Sequence, residues 1–201
     1  MRNVFNHTVF SKCVYLKVSG SDDVLKNNNA LQDLLEEKLI LKGVSLDCRI
    51  KHKFVFKNAL KIPRIYIRCA NFTKLSYLKN TTSEVVTLVD HGFTEEDLNS
   101  FIHYWLSGNS NNKLQKLQLG SFILTPDWNI VLKDVEYTKW NENRRRPRYF
   151  ISEGIYKNIE LDCSEGLDFV RKDGRIATVL YNFHDWFLSF LVWPEQNSVQ
   201  V

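Results

Sequence analysis

The residue types able to carry out chemistry are present, but their spacing does not assemble them. The five histidines are His7, His52, His91, His103 and His184. None falls in an HExxH pattern or a close cluster with cysteine or carboxylate, so a metal site has no support. Cys13, Cys48, Cys69 and Cys163 lie far apart without a C-x-x-C pair; free thiols are expected, not a disulfide framework or a zinc site. The run Glu95-Glu96-Asp97 offers paired carboxylates. It directly follows Thr94, however, and acids there belong to the first turn of a helix, where they complement its dipole. His184-Asp185 could be a base with its orienting acid, but no nucleophile accompanies it and the pair reads as a turn. GxSxG, GxxxxGK and GxGxxG are all absent, leaving no phosphate-cradling loop. The expectation is a chain with no catalytic, cofactor-binding or metal-binding residues and no cofactor, and hence not an enzyme.

Charge is more informative. The chain carries 27 basic and 23 acidic residues, a net charge of +4. Residues 138–149 hold Lys139, Arg144, Arg145, Arg146 and Arg148 against Glu142, which accounts for the whole excess and leaves the remainder neutral. A basic face spread over the fold, the footprint of a nucleic-acid binder, is therefore not expected. The loop can be a solvated segment kept from aggregating by its charge, a docking site for an acidic partner, or a nuclear-import or nucleic-acid patch. Candidate protein-contact residues are Trp140, Arg144, Arg145, Arg146, Arg148 and Tyr149.

What must position these residues is a chain of 201 residues, 44% hydrophobic and rich in aromatics, long enough for one globular unit with a sizeable core. No apolar run approaches the ~20 residues of a membrane-spanning helix, and the N-terminus has no apolar stretch of signal-peptide length. An apolar triplet spaced L-x-x-L-x-L recurs as Cys13/Leu16/Val18, Leu41/Val44/Leu46, Ile62/Ile65/Ile67 and Leu114/Leu117/Leu119, with a degraded copy at Ser83/Val86/Leu88. Starts 21 to 31 residues apart suit stacked units of one strand and one return segment. Two return segments read as helices. One follows Ser21-Asp22-Asp23, with Leu31, Leu34, Leu35 and Leu39 as its stripe. The other spans 94–107, with Leu98, Phe101, Ile102, Trp105 and Leu106 on one face and Gly108 as its stop. Strands are expected at Val9–Val18, Val85–Asp90 and Leu114–Leu119. In the second half they are expected at Asn129–Val135, Ile159–Cys163, Leu167–Arg171, Arg175–Tyr181 and Trp186–Trp193, the last central and covered. Lys172-Asp173-Gly174-Arg175 signals a hairpin. The fold class is α/β: irregular leucine-rich-repeat-like strand–helix units in the first half, then an antiparallel β-sheet in the C-terminal half.

The helix Leu98–Gly108 and the strand after it resemble the type 2 F-box-associated domain of nematodes, in which an Asn-x-Phe-(apolar)-x-x-Trp-(apolar)-x-Gly helix precedes a Leu-x-x-Leu strand. Asn99, Phe101, Ile102, Trp105, Leu106, Gly108, Leu114 and Leu117 match. Asp168–Val179 is similar to that family's Asp-(apolar)-x-Arg-x-Asp-Gly-x-x-Ala-Thr hairpin, and Phe190–Trp193 to its terminal strand. The resemblance covers about residues 40–194, placing an F-box-associated domain at 41–201 after an N-terminal strand and helix in 1–40.

That resemblance implies a non-enzymatic protein–protein interaction module, the substrate-recognition part of a cullin-based ubiquitin ligase. Its partner would be a target protein for ubiquitination. Residues 1–40 show no recognisable F-box, so a cullin adaptor is expected only if an F-box is supplied or hidden. The alternative is nucleic-acid binding through loop 138–149. No membrane partner is expected, and an intracellular location, cytoplasmic or nuclear, follows. Phe101, Trp105, Gly174 and Trp193 read as fold-bearing, not as contact residues.

Overall fold

The apolar triplets line up with one another. In a computed structural model, which describes residues 13–20, 41–49, 59–109, 113–120, 125–141, 147–153 and 158–194, the first half supplies β1 (Tyr15–Ser19), β2 (Gly43–Asp47), β3 (Arg64–Ile67), helix α1 (Leu75–Lys79), β4 (Val85–Leu88), helix α2 (Glu95–Leu106) and β5 (Lys116–Gly120). The five strands are parallel and neighbour one another in sequence order. Leu16, Val44, Ile65, Val86 and Leu117 form one straight row across them, and Val18, Leu46, Ile67, Leu88 and Leu119 form the next. Each triplet thus contributes its last two residues to two aliphatic rows on one face of the sheet, all packed in or against the main core. Parallel pairing in step requires this spacing, because a slip by one residue would turn every row toward the other face.

Antiparallel strands complete the sheet. After helix α3 (Trp128–Val131) come β6 (Thr138–Lys139), β7 (Tyr149–Glu153), β8 (Asn158–Asp162), β9 (Leu167–Val170), β10 (Ile176–Asn182) and β11 (Phe187–Val192). The nine-stranded sheet runs β1-β2-β3-β4-β5-β11-β10-β9-β6, while β7 and β8 pair separately as a hairpin. The fold is mixed α/β with a large sheet and few helices. Leucine-rich-repeat-like units are not shown: the described return segments are a 3-10 turn at Ala59–Lys61, the five-residue α1 and the twelve-residue α2.

Two expectations need correction. Asn129–Val135 is not a strand: Asp127 caps a short helix by accepting a hydrogen bond from the Asn129 N–H, and a turn reaches Asp134 at φ 58°. Val131, Leu132 and Val135 are buried, so an apolar 1,2,5 spacing was mistaken for a strand when a turn of helix satisfies it. The first strand is Tyr15–Ser19, with Cys13 and Val14 preceding it irregularly. It pairs with β2 and so joins the one sheet. The expected helix over 21–40 lies outside the described residues. Strands Tyr149–Glu153 and Thr138–Lys139 were not anticipated.

Helix α2 covers the aliphatic rows. Thr94 and Asp97 cap it reciprocally: the Asp97 N–H donates to Thr94 Oγ1 at 3.3 Å and the Thr94 N–H to Asp97 Oδ2 at 3.1 Å. Leu98, Phe101, Ile102 and Trp105 are buried beneath it, and Gly108 ends it at φ 81°, where a side chain would be strained. From the sheet, Phe190 meets Phe101 edge-on at 5.4 Å, Trp105 edge-on at 5.5 Å and Phe169 stacked at 6.0 Å. Just before α2, the Phe93 N–H donates to His91 Nδ1 at 3.1 Å and the two rings stack at 5.4 Å. Burial lowers the pKa of His91 to about 4.

Two outcomes follow. Phe190→Ala should destabilise the chain by about 3–5 kcal/mol in denaturant unfolding, whereas Phe183→Ala, at a residue 62% exposed, should cost less than about 1 kcal/mol. With a depressed folded pKa, His91 contributes stability that is complete above pH 6.5 and is lost as pH falls toward 4. His91→Gln should flatten that window by on the order of 2 kcal/mol, read from urea midpoints at stepped pH.

Candidate functional site

Three segments converge at the C-terminal end of the sheet. The β9–β10 hairpin is fastened from both faces. On one, Thr178 Oγ1 donates to Asp168 Oδ1 at 2.6 Å and accepts from Trp193 Nε1 at 2.7 Å, all three side chains belonging to buried residues. On the other, the Arg171 guanidinium lies 5.0 Å over the Trp105 ring and makes two hydrogen bonds to Asp173, Nε to Oδ1 at 2.9 Å and Nη2 to Oδ2 at 2.5 Å. The Arg171 side chain is 2% exposed and that of Asp173 48%, so a rim carboxylate neutralises a buried cation. The guanidinium beside it lowers the Asp173 pKa to about 2. Gly174 turns the hairpin at φ 84°. Asp168, Arg171, Asp173 and Thr178 of the expected Asp168–Val179 signature thus have fastening roles.

Beside this hairpin lies a cleft of about 300 Å³, lined by Trp128, Lys139, Glu165, Gly166, Tyr181 and Phe183 among others. Gly166 is required by close approach, since a Cβ there would sit 2.3 Å from Thr178 Cγ2. The neighbouring β10–β11 turn presents two exposed aromatics, Phe183 and Trp186, with Trp186 held at φ 57°. Asn182 builds that turn by accepting from the His184 N–H and donating to Asp185 Oδ2, both at 2.9 Å. The Asp185 carboxylate is thus engaged by Asn182, and the pair is a turn, as expected. Aromatic walls with one cation and one anion suit the binding of an amphipathic side chain or peptide segment.

The basic loop joins the cleft through Lys139. Trp140 is half-buried and Tyr149 is 44% exposed. Arg148 is bound twice over to Asp162, Nε at 3.1 Å and Nη2 at 2.6 Å, and lies 5.3 Å over the Tyr149 ring. This ion pair holds the Asp162 carboxyl well below the usual carboxylate range and staples the β7–β8 hairpin. Arg144, Arg145 and Arg146 lie outside the described residues. The cleft itself was missed from sequence. Its walls come from positions 125–128, 139, 164–167 and 179–183, and Trp128, Tyr181 and Phe183 look individually like core aromatics.

Metal and membrane features are soon stated. Among the described residues no group of three or more His, Cys, Asp and Glu is placed to hold a metal ion, and no helix is long and apolar enough to cross a membrane. All four cysteines are free, Cys48 and Cys163 buried and the other two half-buried.

Comparison with known proteins places the stretch containing β3, α1, β4, α2 and most of β5. Residues 52–119 match the model of the F-box associated family. Over this stretch, about a third of its length, the chain is similar to that family. Two uncharacterized Caenorhabditis elegans proteins, F59B2.9 and F59B2.8, are 26% and 24% identical to it over 197 and 198 residues, 96% and 98% of this chain and 44% of each relative. The chain therefore spans less than half the length of these relatives. A third C. elegans protein, the E3 ubiquitin-protein ligase hecw-1, is 29% identical over 132 residues, 60% of this chain and 10% of that protein. No solved structure matches the chain significantly. Within the matched stretch the motif residues are structural. Asn99 Nδ2 donates to the carbonyls of Val131 and Lys133 at 3.1 and 2.8 Å, and His103 Nε2 lies 3.0 Å from the Lys133 carbonyl, so α2 holds the turn that carries Trp128 into the cleft.

Asp173→Ala should expose how the hairpin is held. It removes the two charge-assisted hydrogen bonds that buried Arg171 makes to Asp173 and should lower stability by about 1.5–3 kcal/mol. The double variant Arg171→Met/Asp173→Ala should recover at least half of that loss in the same denaturant series.

Proposed function

We propose that this chain is a non-catalytic recognition module that captures the protein substrate of a ubiquitin ligase. The F-box associated match over residues 52–119 is the observation that carries the reading. The likeness of part of the chain to a protein named as an E3 ubiquitin-protein ligase is in keeping with it. So is the cleft: exposed Phe183 and Trp186 beside Trp128, Tyr181 and Lys139 supply the aromatic and basic chemistry that dominates protein-interface energetics. The partner is a target protein, and a cullin adaptor enters only through an F-box. The basic loop 138–149, with Trp140, Arg144, Arg145, Arg146, Arg148 and Tyr149, is a second contact region flanking the cleft. Nucleic-acid binding through that loop gains no support, since Arg148 is already answered by Asp162. An intracellular setting, cytoplasmic or nuclear, belongs to this proposal.

The test is affinity capture of the whole chain from its source lysate with partners identified by mass spectrometry, beside two variants. Phe183→Ser/Trp186→Ser removes the turn aromatics, and Arg144, Arg145, Arg146 and Arg148 changed to Ser removes the basic loop. The expected result is a reproducible protein partner whose binding is weakened by at least tenfold in the aromatic variant, an effect of about 1.4 kcal/mol or more. Recovery of nucleic acid with a steep salt dependence, or of no partner that either variant weakens, overturns the proposal.

A further inference from the structure

The spacing that builds the parallel sheet also sets a row of residues just beyond its strands. Triplets that begin at positions 13, 41, 62 and 83 are each followed, seven residues after the start, by Gly20, Cys48, Cys69 and Asp90. Strands β1 to β4 pair in step, so these residues succeed one another across the carboxyl ends of the strands. Contacts past the paired residues keep that order. The Gly20 N–H donates to the Asp47 carbonyl at 3.4 Å, and a Cβ at Gly20 would sit 3.6 Å from that of Cys48. The Arg68 N–H donates to the Leu46 carbonyl at 2.9 Å, and its guanidinium meets Asp47 at 3.3 Å. At the next step Cys69 Sγ donates to Asp90 Oδ2 at 4.0 Å.

Two cysteines remote in sequence therefore stand side by side at the ends of β2 and β3. Neighbouring strands run about 4.8 Å apart, inside the roughly 4.4–6.8 Å between Cα atoms that a disulfide spans. The 3.6 Å step from Gly20 to Cys48 in the same row lies in the roughly 3.5–4.5 Å it spans between Cβ atoms. Both thiols are free. Cys48 is 2% exposed and Cys69 half-buried, so a reagent in solution meets Cys69 first. Burial, and then the neighbouring Cys69 and Asp47, raise the pKa of Cys48, which keeps that thiol protonated and inert toward solvent.

We infer that Cys48 and Cys69 form a dithiol site that a low-molecular-weight disulfide oxidises to a bond between the ends of β2 and β3. Cys69 gives its proton to solvent and attacks one sulfur of the reagent, forming a mixed disulfide and releasing one reagent thiol. A turn about the Cys69 Cα–Cβ bond swings its sulfur from Asp90 toward Cys48. Cys48 then loses its proton and attacks Cys69 Sγ, expelling the second reagent thiol. Two protein thiols are oxidised and one reagent disulfide is reduced to two thiols, so no other reactant is consumed. Proximity compensates for the raised pKa of Cys48, because its only electrophile is held beside it. Excess thiol reverses both steps, and the site follows the ratio of disulfide to thiol around the chain. It lies apart from the cleft and does not rest on the recognition role.

The test equilibrates the whole folded chain with oxidised and reduced glutathione, blocks the remaining thiols and maps tryptic peptides by mass spectrometry. Trypsin cuts after Arg49 and Arg68, so Cys48 and Cys69 leave on separate peptides unless they are joined. The expected product is the Cys48–Cys69 link, at about ten times any other pairing of the four cysteines, and lost again in reduced glutathione. Cys48→Ser should halt the reaction at a glutathione adduct on Cys69, and Cys69→Ser should leave Cys48 unmodified. The inference is overturned if wild type stays reduced in oxidised glutathione alone, or stops at the Cys69 adduct. It is equally overturned if Cys13 or Cys163 pairs as readily, or if the link forms only in denaturant or between two copies. The wild-type map decides the matter whether or not Cys48→Ser folds.

Discussion

Everything in this fold turns on the packing around one ring. Phe190 sits on the strand that joins the parallel and antiparallel halves, and it touches α2 through Phe101 and Trp105 and β9 through Phe169. Trp105 in turn carries Arg171 on its other side. A single aromatic cluster therefore fixes the helix on the sheet, the two sheet halves to each other, and the β9–β10 hairpin beside the cleft. Aromatic burial on this scale contributes several kcal/mol per side chain. Errors of even half an ångström at Phe190 would be transmitted to all three elements, because a close-packed core has no slack to absorb them.

The legible parts of the sequence were those in which one local rule decides the structure. Thr94-Glu95-Glu96-Asp97 announces a helix start because a hydroxyl and an acid three residues on can satisfy each other's orphan N–H groups. Asp173-Gly174 announces a tight turn because glycine tolerates φ 84°. The strand order of the first half was implicit in the triplets, since consecutive parallel strands that share one spacing stack in step. Asn129–Val135 failed for the complementary reason. Short apolar spacings fit both a strand and a turn of helix, and the choice was made by Asn99, 32 and 34 residues away, whose side-chain amide claims the Val131 and Lys133 carbonyls. The cleft was illegible because no local rule brings Trp128, Lys139, Glu165 and Phe183 together; only the completed topology does. Of the anticipated contact residues, Arg148 is paired along the hairpin with Asp162, and both side chains remain exposed.

The two faces of the sheet divide the work. One carries unbroken aliphatic rows and every described helix, and the stability of the chain resides there. The other carries tyrosine and basic side chains toward β1, and a smaller cluster around Phe150, Leu191 and Trp193 toward β11. The stretch that matches the F-box associated family holds β3, β4, most of β5 and α2, and the motif residues within it make the scaffold. Loops and open faces are less constrained by such packing, which is the general reason that they carry specificity in proteins while core positions carry the fold.

Lys116 sits where these two demands collide. Its backbone is part of the parallel ladder, hydrogen-bonded into the sheet with β4 and β11, and its neighbours in that row are apolar. A residue selected by packing alone would be a branched aliphatic, as at Leu117 and Leu119 on the same strand. Replacing a well-packed hydrophobe by a buried ammonium is among the more costly single changes a core can accept. The aliphatic rows and the Phe190 cluster supply stability enough to carry it. A rigid, over-determined core on one face thus permits a buried lysine on the other.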